Sequence, residues 1–270
     1  MSGIDKNFTG SIPDTYDEYL VPLIFEKYAS DIATRVANTK PQTVLETAAG
    51  SGVVTRALAP LLSVDARYVV TDLNQPMLDR AIRQQPSAQS IEWQRADALS
   101  LPFEAGIFDA VCCQFGVMFF PDKQAGYREA LRVLAKGGTF IFNVWDRIEE
   151  NDFAHSVTKT AARFFPDDPP LFMARTPHGH HDIAEITEDL QQAGFSRVDV
   201  HTITEQSRAD NPRDPAVAYC QGTPLRNELE ERDATMLAKI TEAAAADIAK
   251  GFGAGAVSGK IQGHVFIASA

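Results

Sequence analysis

Short apolar runs alternate over the first 146 residues with segments whose apolar positions recur at helical spacing. The runs are typical of strands buried on both faces, and the periodic segments are typical of amphipathic helices. Five strands are predicted, at Thr43–Thr47, Tyr68–Thr71, Ile91–Arg95, Phe108–Gln114 and Thr139–Trp145. Helices are predicted at 14–37, from the turn after the first strand to about Leu62, at Pro76–Gln84 and at Asp122–Leu134. This alternation predicts a parallel sheet with helices on both faces.

The pattern changes after Asp146. Residues 147–181 begin as a helix and become rich in proline and aromatic residues. The later elements predicted are a helix at Asp182–Ala193, a strand at Arg197–Thr204, helices over Asp214–Lys250 and a final strand at Ile261–Ala268. The sheet therefore resumes late, and residues 147–181 and 207–258 are expected to form inserts or caps. Gly137 and Gly138 are expected to cap the helix that precedes the fifth strand, and Gly194 the later helix.

Composition narrows the class of protein. The 270 residues carry 25 basic and 36 acidic side chains, a formal net charge of −11. That balance argues against a general nucleic-acid binder, which needs a basic stripe. Three cysteines, two of them adjacent, form neither a disulfide framework nor a zinc motif. The chain has no run of 18 apolar residues and no apolar leader, so a cytoplasmic protein without a membrane span is expected.

The first predicted strand ends in a turn of small residues. Its sequence is Glu46-Thr-Ala-Ala-Gly-Ser-Gly52, and a helix is expected to follow. Small residues let a ligand lie against the backbone, and both dinucleotides and S-adenosylmethionine fit such a turn. The dinucleotide fingerprint needs a third glycine where this chain has Thr55. Glu46 also suits a ligand with an ammonium and a sulfonium better than one with two phosphates.

Acidic residues end the next two predicted strands. Asp72 follows the second strand, and a carboxylate there accepts hydrogen bonds from ribose hydroxyls. Asp97, followed by Ala98, ends the third strand, where it can accept a hydrogen bond from the adenine amine. Because ligands bind at the carboxyl edge of a parallel sheet, we expect these residues to share one site.

These segments resemble the class I S-adenosylmethionine-dependent methyltransferases, near the branch of quinone-biosynthesis enzymes. The matching stretches are Val44–Gly52, Val69–Met77, Arg95–Phe103, Phe108–Phe120 and Ala130–Phe142. The resemblance is strong over about residues 40–146 and looser over Asp182–Thr204 and Ile261–Ala268. It implies an α/β, Rossmann-like sheet of seven mostly parallel strands, the last one antiparallel, with helices on both faces and a helical cap.

The resemblance also implies which residues bind the cofactor. Glu46 would face its methionine end, and Gly50 and Gly52 would line the turn beneath it. Asp72 would hold the ribose hydroxyls. The remaining residues implied to touch the cofactor are Leu73 and Met77 beside the adenine, Asp97 and Ala98 at its edge, Gln114 and Phe115 near the methyl group, and Tyr16 and Tyr19 as a cover.

One position departs from the family pattern. The family usually has glycine where this chain has Ala48. If the backbone there needs a positive φ, alanine costs about 1 kcal/mol. A small residue is kept, so we expect the site to remain and its affinity to be altered.

The acceptor side is predicted from position alone. Phe172, His178 and Thr223 are expected to contact the acceptor, and His155 and His178 are candidates for a general base. No metal site is predicted. The chain is interpreted as one methyltransferase domain over 1–270, with a helical cover at 1–40 and a cofactor-binding core at 41–146. The inserts at 147–181 and 207–258 would form a cap on the acceptor side.

The predicted reaction is methyl transfer from S-adenosylmethionine to a small molecule, with S-adenosylhomocysteine as product. The chain lacks the Asn/Asp-Pro-Pro-aromatic motif of amino-methylating enzymes, which favours an oxygen, carbon or sulfur acceptor over nitrogen. The alternatives are a nicotinamide-dependent oxidoreductase and a non-catalytic binding protein with the same fold. A monomer and a homodimer are both open.

Overall fold

The computed structural model describes residues 12–86 and 90–270. Its strands are β1 Thr43–Glu46, β2 Arg67–Asp72, β3 Ile91–Arg95, β4 Phe108–Gln114, β5 Leu134–Trp145, β6 Arg197–Ala209 and β7 Val257–Ser269. Its α-helices are α1 Ile12–Thr15, α2 Glu26–Asn38, α3 Val53–Leu58, α4 Gln75–Gln84, α5 Lys123–Val133, α6 Asp152–Phe164, α7 Phe172–Arg175, α8 Ile183–Ala193, α9 Arg213–Gln221, α10 Leu225–Asp233 and α11 Leu237–Phe252. The predicted seven-stranded α/β fold is confirmed.

The strands form one sheet in the order β3-β2-β1-β4-β5-β7-β6. The pairs from β3 to β5 are parallel. Strand β7 runs antiparallel to β5, because Asp146 N donates to Gln262 O while Ala270 N donates to Gly138 O. The predicted reversal of the last strand is therefore confirmed. Parallel pairing places the carboxyl ends of β1 to β4 at one edge of the sheet.

The chain divides into two compact units. The first contains the described residues up to Phe25, Trp145–His180 and Thr204–Gly263. Its helices α6, α9 and α11 pack together through buried residues such as Val157 and Ile248. The second unit contains Glu26–Val144, His181–Ile203 and His264–Ala270.

The sheet of the second unit has an apolar core on each face. One cluster joins α2, α3 and α4 to the sheet through residues that include Ile32, Leu58 and Cys112. On the sheet, Phe142 stacks against Phe140 and Phe266, with ring centroids 4.7 and 5.0 Å apart. Burial on both faces explains why β4 is an almost continuous apolar run in the sequence.

Two predicted elements differ in the structure. The helix expected over 14–37 contains a π-helical segment at Tyr16–Phe25 with Pro22 inside it. Proline has no N–H and crowds the carbonyl four residues earlier, and the wider π spacing accommodates both effects. The prediction that Gly137 and Gly138 cap α5 is wrong, because both lie inside β5.

The two glycines form an irregularity in β5. Between two paired positions, β4 advances from Phe108 to Ala110 while β5 advances from Leu134 to Thr139. The extra residues must bulge out of the ladder, and Gly137 takes a φ of 80° there. A helix end and a β-bulge both need this backbone conformation, so the local sequence does not distinguish them.

Candidate functional site

The turn after β1 is tied to both neighbouring strands. Thr47 N donates to Cys112 O of β4 at 2.9 Å, and Ala49 N donates to Thr71 O of β2 at 3.0 Å. Three of its residues have positive φ: Ala48 at 51°, Gly50 at 58° and Gly52 at 80°. The predicted turn of small residues therefore lies at the carboxyl edge of the sheet, in a conformation that strongly favours glycine.

Close packing adds a second reason for the small residues. A Cβ atom at Gly52 would lie 2.9 Å from Cβ of Ala81 on α4. A Cβ atom at Gly116, which follows β4, would lie 2.6 Å from Cβ of Ala48. The left-handed conformation of Ala48 costs about 1 kcal/mol. Its methyl group fits only because residue 116 is glycine.

Glu46 lies at the end of β1 and is buried. Its Oε2 accepts hydrogen bonds from the Tyr68 hydroxyl and, at 2.7 Å, from Thr55 Oγ1. Burial raises the pKa of Glu46 to about 7, although both hydrogen bonds favour the ionised form and oppose the rise. The Glu46 carboxyl group therefore titrates near neutral pH, and hydrogen bonds from Tyr68 and Thr55 fix the position of its Oε2.

Asp72 lies at the end of β2 and supports the same turn. Its Oδ2 accepts a hydrogen bond from Gly50 N at 2.8 Å, and its Oδ1 accepts one from Asn74 N at 2.7 Å. Burial raises the pKa of this carboxyl, and the backbone N–H groups oppose the rise. Each carboxylate oxygen keeps a lone pair with which it could accept a ribose hydroxyl.

The other predicted adenine-side residues follow β2 and β3. Asp97 is exposed, and its Oδ1 accepts a hydrogen bond from Leu99 N at 3.0 Å. Ala98 beside it is half-buried. Leu73 is one of the exposed large apolar residues, whereas Met77 on α4 is buried with its Cε 3.7 Å from the Cβ position of Gly50.

Gln114 and Phe115 lie at the end of β4. Gln114 is half-buried, and Phe115 is buried with a φ of 48°. Phe115 N donates to Asn143 Oδ1 at 2.8 Å and to Asn143 O at 3.2 Å. Its ring meets that of Tyr28 edge to face, with centroids 5.1 Å apart. Like Ala48, Phe115 holds a backbone conformation that is costly for a residue other than glycine.

The second unit fits S-adenosylmethionine in two respects. The hydroxyl of Ser51, in the glycine turn, is buried with no hydrogen-bond partner among the described residues. The residues of the turn are small, so a ligand could lie against its backbone. Glu46, Gly50, Gly52, Asp72, Gln114 and Phe115 would hold the cofactor along the edge formed by β1, β2 and β4.

The remaining predicted residues lie in the first unit. Tyr19 is half-buried in the π-helical segment, and a hydrogen bond with Glu18 raises its pKa. Phe172 is buried, and its N–H donates to Glu228 Oε2 at 3.1 Å. Thr223 has a local role, because its hydroxyl donates to Tyr219 O at 2.7 Å.

The two candidate bases also lie in the first unit. His155 is half-buried on α6. His178 is buried, and its Nδ1 lies 2.8 Å from Asp146 O. A carbonyl only accepts, so Nδ1 of His178 carries the hydrogen and Nε2 is the nitrogen that could take up a proton.

Sequence reasoning missed the roles of four residues at this edge. Tyr68 and Thr55 bind Glu46, Ser51 lies inside the turn, and Asn143 holds Phe115. Asn143 and Tyr68 carry a signal that could have found them, since a polar group inside a strand with an apolar pattern must find a partner. That signal does not name the partner.

Within residues 12–86 and 90–270, no cluster of three or more His, Cys, Asp or Glu side chains could hold a metal ion. No helix in the same ranges is long and apolar enough to cross a membrane.

The chain is similar to known methyltransferases. The model of a methyltransferase domain matches residues 45–142. The ubiquinone/menaquinone biosynthesis C-methyltransferase UbiE of Klebsiella pneumoniae strain 342 is 29% identical over 175 residues, which cover 60% of this chain and 70% of that protein. UbiE of Escherichia coli O1:K1 / APEC is 28% identical over 175 residues, with the same coverage of both chains.

Solved structures share the fold. YcgJ of Bacillus subtilis has a TM-score of 0.56 at 16% identity, covering 88% of this chain and 97% of that one. The phosphoethanolamine N-methyltransferase 2 of Haemonchus contortus has a TM-score of 0.62 at 14% identity, covering 98% of this chain and 59% of that one. That enzyme was solved with S-adenosylhomocysteine.

The matches favour methyl transfer over the nicotinamide-dependent and non-catalytic alternatives. The domain match spans the glycine turn, the ends of β1 to β4 and most of β5. The chain is therefore an S-adenosylmethionine-dependent methyltransferase, and over residues 45–142 it is similar to a methyltransferase-domain family.

Proposed function

We propose that this enzyme methylates a small molecule, with carbon favoured as the acceptor atom. The proposal rests on the 29% identity to a quinone-biosynthesis C-methyltransferase over 175 residues. The match to a methyltransferase domain supports it. The missing amino-methylation motif supports a non-nitrogen acceptor. The three cysteines are buried free thiols, which is typical of proteins in the reducing cytoplasm, so we propose a cytoplasmic location.

S-adenosylmethionine, when bound, supplies a methyl group that its sulfonium makes electrophilic. The chain's part is to align the two reactants and exclude water. Asp72 would accept hydrogen bonds from the ribose hydroxyls, and Glu46 would face the methionine end. Gln114 and Phe115 would line the position of the methyl group.

A carbon acceptor releases a proton after it is methylated, so a base assists the reaction. Nε2 of His178 is proposed to take that proton, because the hydrogen bond from Nδ1 to Asp146 O fixes the tautomer. Phe172 and Thr223 are proposed to contact the acceptor. Unchanged acceptor kinetics in both Phe172→Ala and His178→Ala would contradict this assignment.

Calorimetric titration with S-adenosylhomocysteine tests the cofactor site. Micromolar binding is expected in the wild type, and Asp72→Ala should weaken it at least tenfold. Asp79→Ala is the matched control, because Asp79 is exposed on α4 and accepts a hydrogen bond from Gln75, one helical turn earlier. NADH should give no heat of binding. Equal affinity in Asp72→Ala and the wild type would contradict the proposed ribose contact.

Methyl transfer itself is tested with S-adenosylmethionine labelled in the methyl group. Small aromatic, enolic and thiol acceptors are incubated with the enzyme, and the labelled product is identified by mass spectrometry. A carbon-methylated product is expected. Transfer only to amines would contradict the proposed acceptor class.

A further inference from the structure

Asn143 on β5 carries a buried polar group that the proposed cofactor site does not use. The residue is fully buried and pairs in register with Gln114. Its Oδ1 accepts the hydrogen bond from Phe115 N at 2.8 Å. Because Phe115 N is a donor, the amide cannot be turned around, and its nitrogen must be the other terminal atom.

The amide nitrogen of Asn143 has no hydrogen-bond partner among the described residues, although it is buried. An amide N–H taken out of water without a partner is costly and calls for an explanation. A second cost lies beside it, since Phe115 is held at a φ of 48° by this same side chain. Strained backbone conformations of this kind cluster at active sites and ligand-binding sites.

The position of Asn143 separates it from the proposed ribose and adenine contacts. The sheet order places β4 between β1 and β5. At about 4.8 Å between neighbouring strands, Asn143 lies two strands, or about 10 Å, from the glycine turn that follows β1. The proposed ribose and adenine contacts lie on the far side of β1, at the ends of β2 and β3. Asn143 therefore lies beyond β4 from the ribose and adenine contacts, beside Gln114 and Phe115, which are proposed to line the position of the methyl group.

We propose that the Asn143 amide nitrogen donates a hydrogen bond to a phenol or enol oxygen of the methyl acceptor. A neutral N–H group suits an oxygen lone pair, and Asn143 Nδ2 has two such hydrogens. The proposal rests on the proposed function, because carbon becomes nucleophilic when an oxygen lone pair is conjugated with it. Asn143 would thus bind the acceptor by the atom that activates it.

Binding of 1-naphthol and of naphthalene tests the proposal, since the two probes differ by one hydroxyl group. Both are titrated into enzyme saturated with S-adenosylhomocysteine. The wild type should bind 1-naphthol at least tenfold more tightly than naphthalene. Asn143→Asp keeps an oxygen for Phe115 N but loses the amide donor, so the preference should fall to about twofold or less at pH 8.

Two further variants keep the result interpretable. Asn143→Leu, similar in volume, should also lose the preference for 1-naphthol. Gln85→Glu is the matched control, because it makes the same amide-to-acid change at the end of α4, where the side-chain oxygen is also buried and has no partner within residues 12–86 and 90–270. It should retain the tenfold preference. Thermal unfolding of each variant checks that the fold is intact.

Each outcome decides the proposal. Loss of the preference for 1-naphthol in both Asn143 variants supports it, provided that Asn143→Asp, which keeps the oxygen bonded to Phe115 N, binds S-adenosylhomocysteine within twofold of wild type. A wild type that does not prefer 1-naphthol, or a preference that survives in Asn143→Asp, overturns it. A tenfold loss of S-adenosylhomocysteine affinity in Asn143→Asp also overturns it, since the amide would then bind the cofactor carboxylate. Failure of the wild type to bind S-adenosylhomocysteine at all would instead refute the proposed cofactor site.

Discussion

The protonation of Glu46 should make the stability of the folded protein depend on pH. Burial raises the pKa of this carboxyl from 4.5 to about 7, so the fold favours the neutral acid. Its stabilising effect is fully present below pH 4.5 and is lost as pH rises through 7. Glu46→Gln replaces the titrating group with a permanently neutral one that still offers an oxygen to Tyr68 and Thr55.

The size of the effect follows from the change in pKa. A tenfold change in an acid's dissociation constant corresponds to about 1.4 kcal/mol. The rise at Glu46 therefore makes the free energy of unfolding about 3 kcal/mol smaller at pH 8 than at pH 4.5. Glu46→Gln should lack this loss, so its stability relative to wild type should increase by about 3 kcal/mol across the same range.

Urea unfolding of both proteins between pH 4.5 and 8 measures the difference. Glu92→Gln is the control of opposite sign, because the hydrogen bond from Arg67 lowers the pKa of Glu92. Its stabilising effect is present above pH 4.5 and is lost as pH falls. Parallel curves for wild type and Glu46→Gln would refute the reasoning, since they would mean that Glu46 does not change its pKa on folding.

The same unfolding assay tests the glycine turn, the bulge in β5 and the cap of α8. Ala48→Gly should raise the free energy of unfolding by about 0.5 kcal/mol, because relief at φ 51° exceeds the entropy cost of glycine. Ala49→Gly, with no positive φ to relieve, should lower it. Gly52→Ala should lower the free energy of unfolding by more than about 2 kcal/mol, and Gly137→Ala by only about 1 kcal/mol. Both glycines have a φ of 80°, but only the methyl group at residue 52 would collide with a neighbour. Equal losses would contradict the close packing. Asp182→Ala should cost about 1 kcal/mol, because the Asp182 side chain caps α8 by accepting from two backbone N–H groups. An unchanged midpoint would contradict that cap.

The local sequence is sufficient for most of the elements. Strands β3 and β4 begin and end at the predicted residues. Their apolar runs are bounded by turn residues, so neighbouring side chains contain the information. The cap of α8 by Asp182 and its end at Gly194 were predictable for the same reason, since capping bonds span only three or four residues.

The local sequence does not determine the conformation where two different structures require the same residue type. Gly137 satisfies a helix cap and a bulge in β5 equally well, and pairing with β4 decided between them. Likewise, Pro22 marks a disturbance in a helical pattern without specifying a π-helical segment. The tertiary partner selects one of several locally acceptable conformations.

The sequence by itself determined the type of turn, the acidic strand ends and hence the class of cofactor. Only the tertiary structure decided that Glu46 is bound by Tyr68, 22 residues away, and that Asn143 holds Phe115 from 28 residues away. The physical reason is range: propensity, capping and hydrophobic periodicity act over a few residues, so a sequence reveals them directly. Hydrogen bonds across a sheet join residues distant in the chain, and burial and pKa depend on which strands become neighbours.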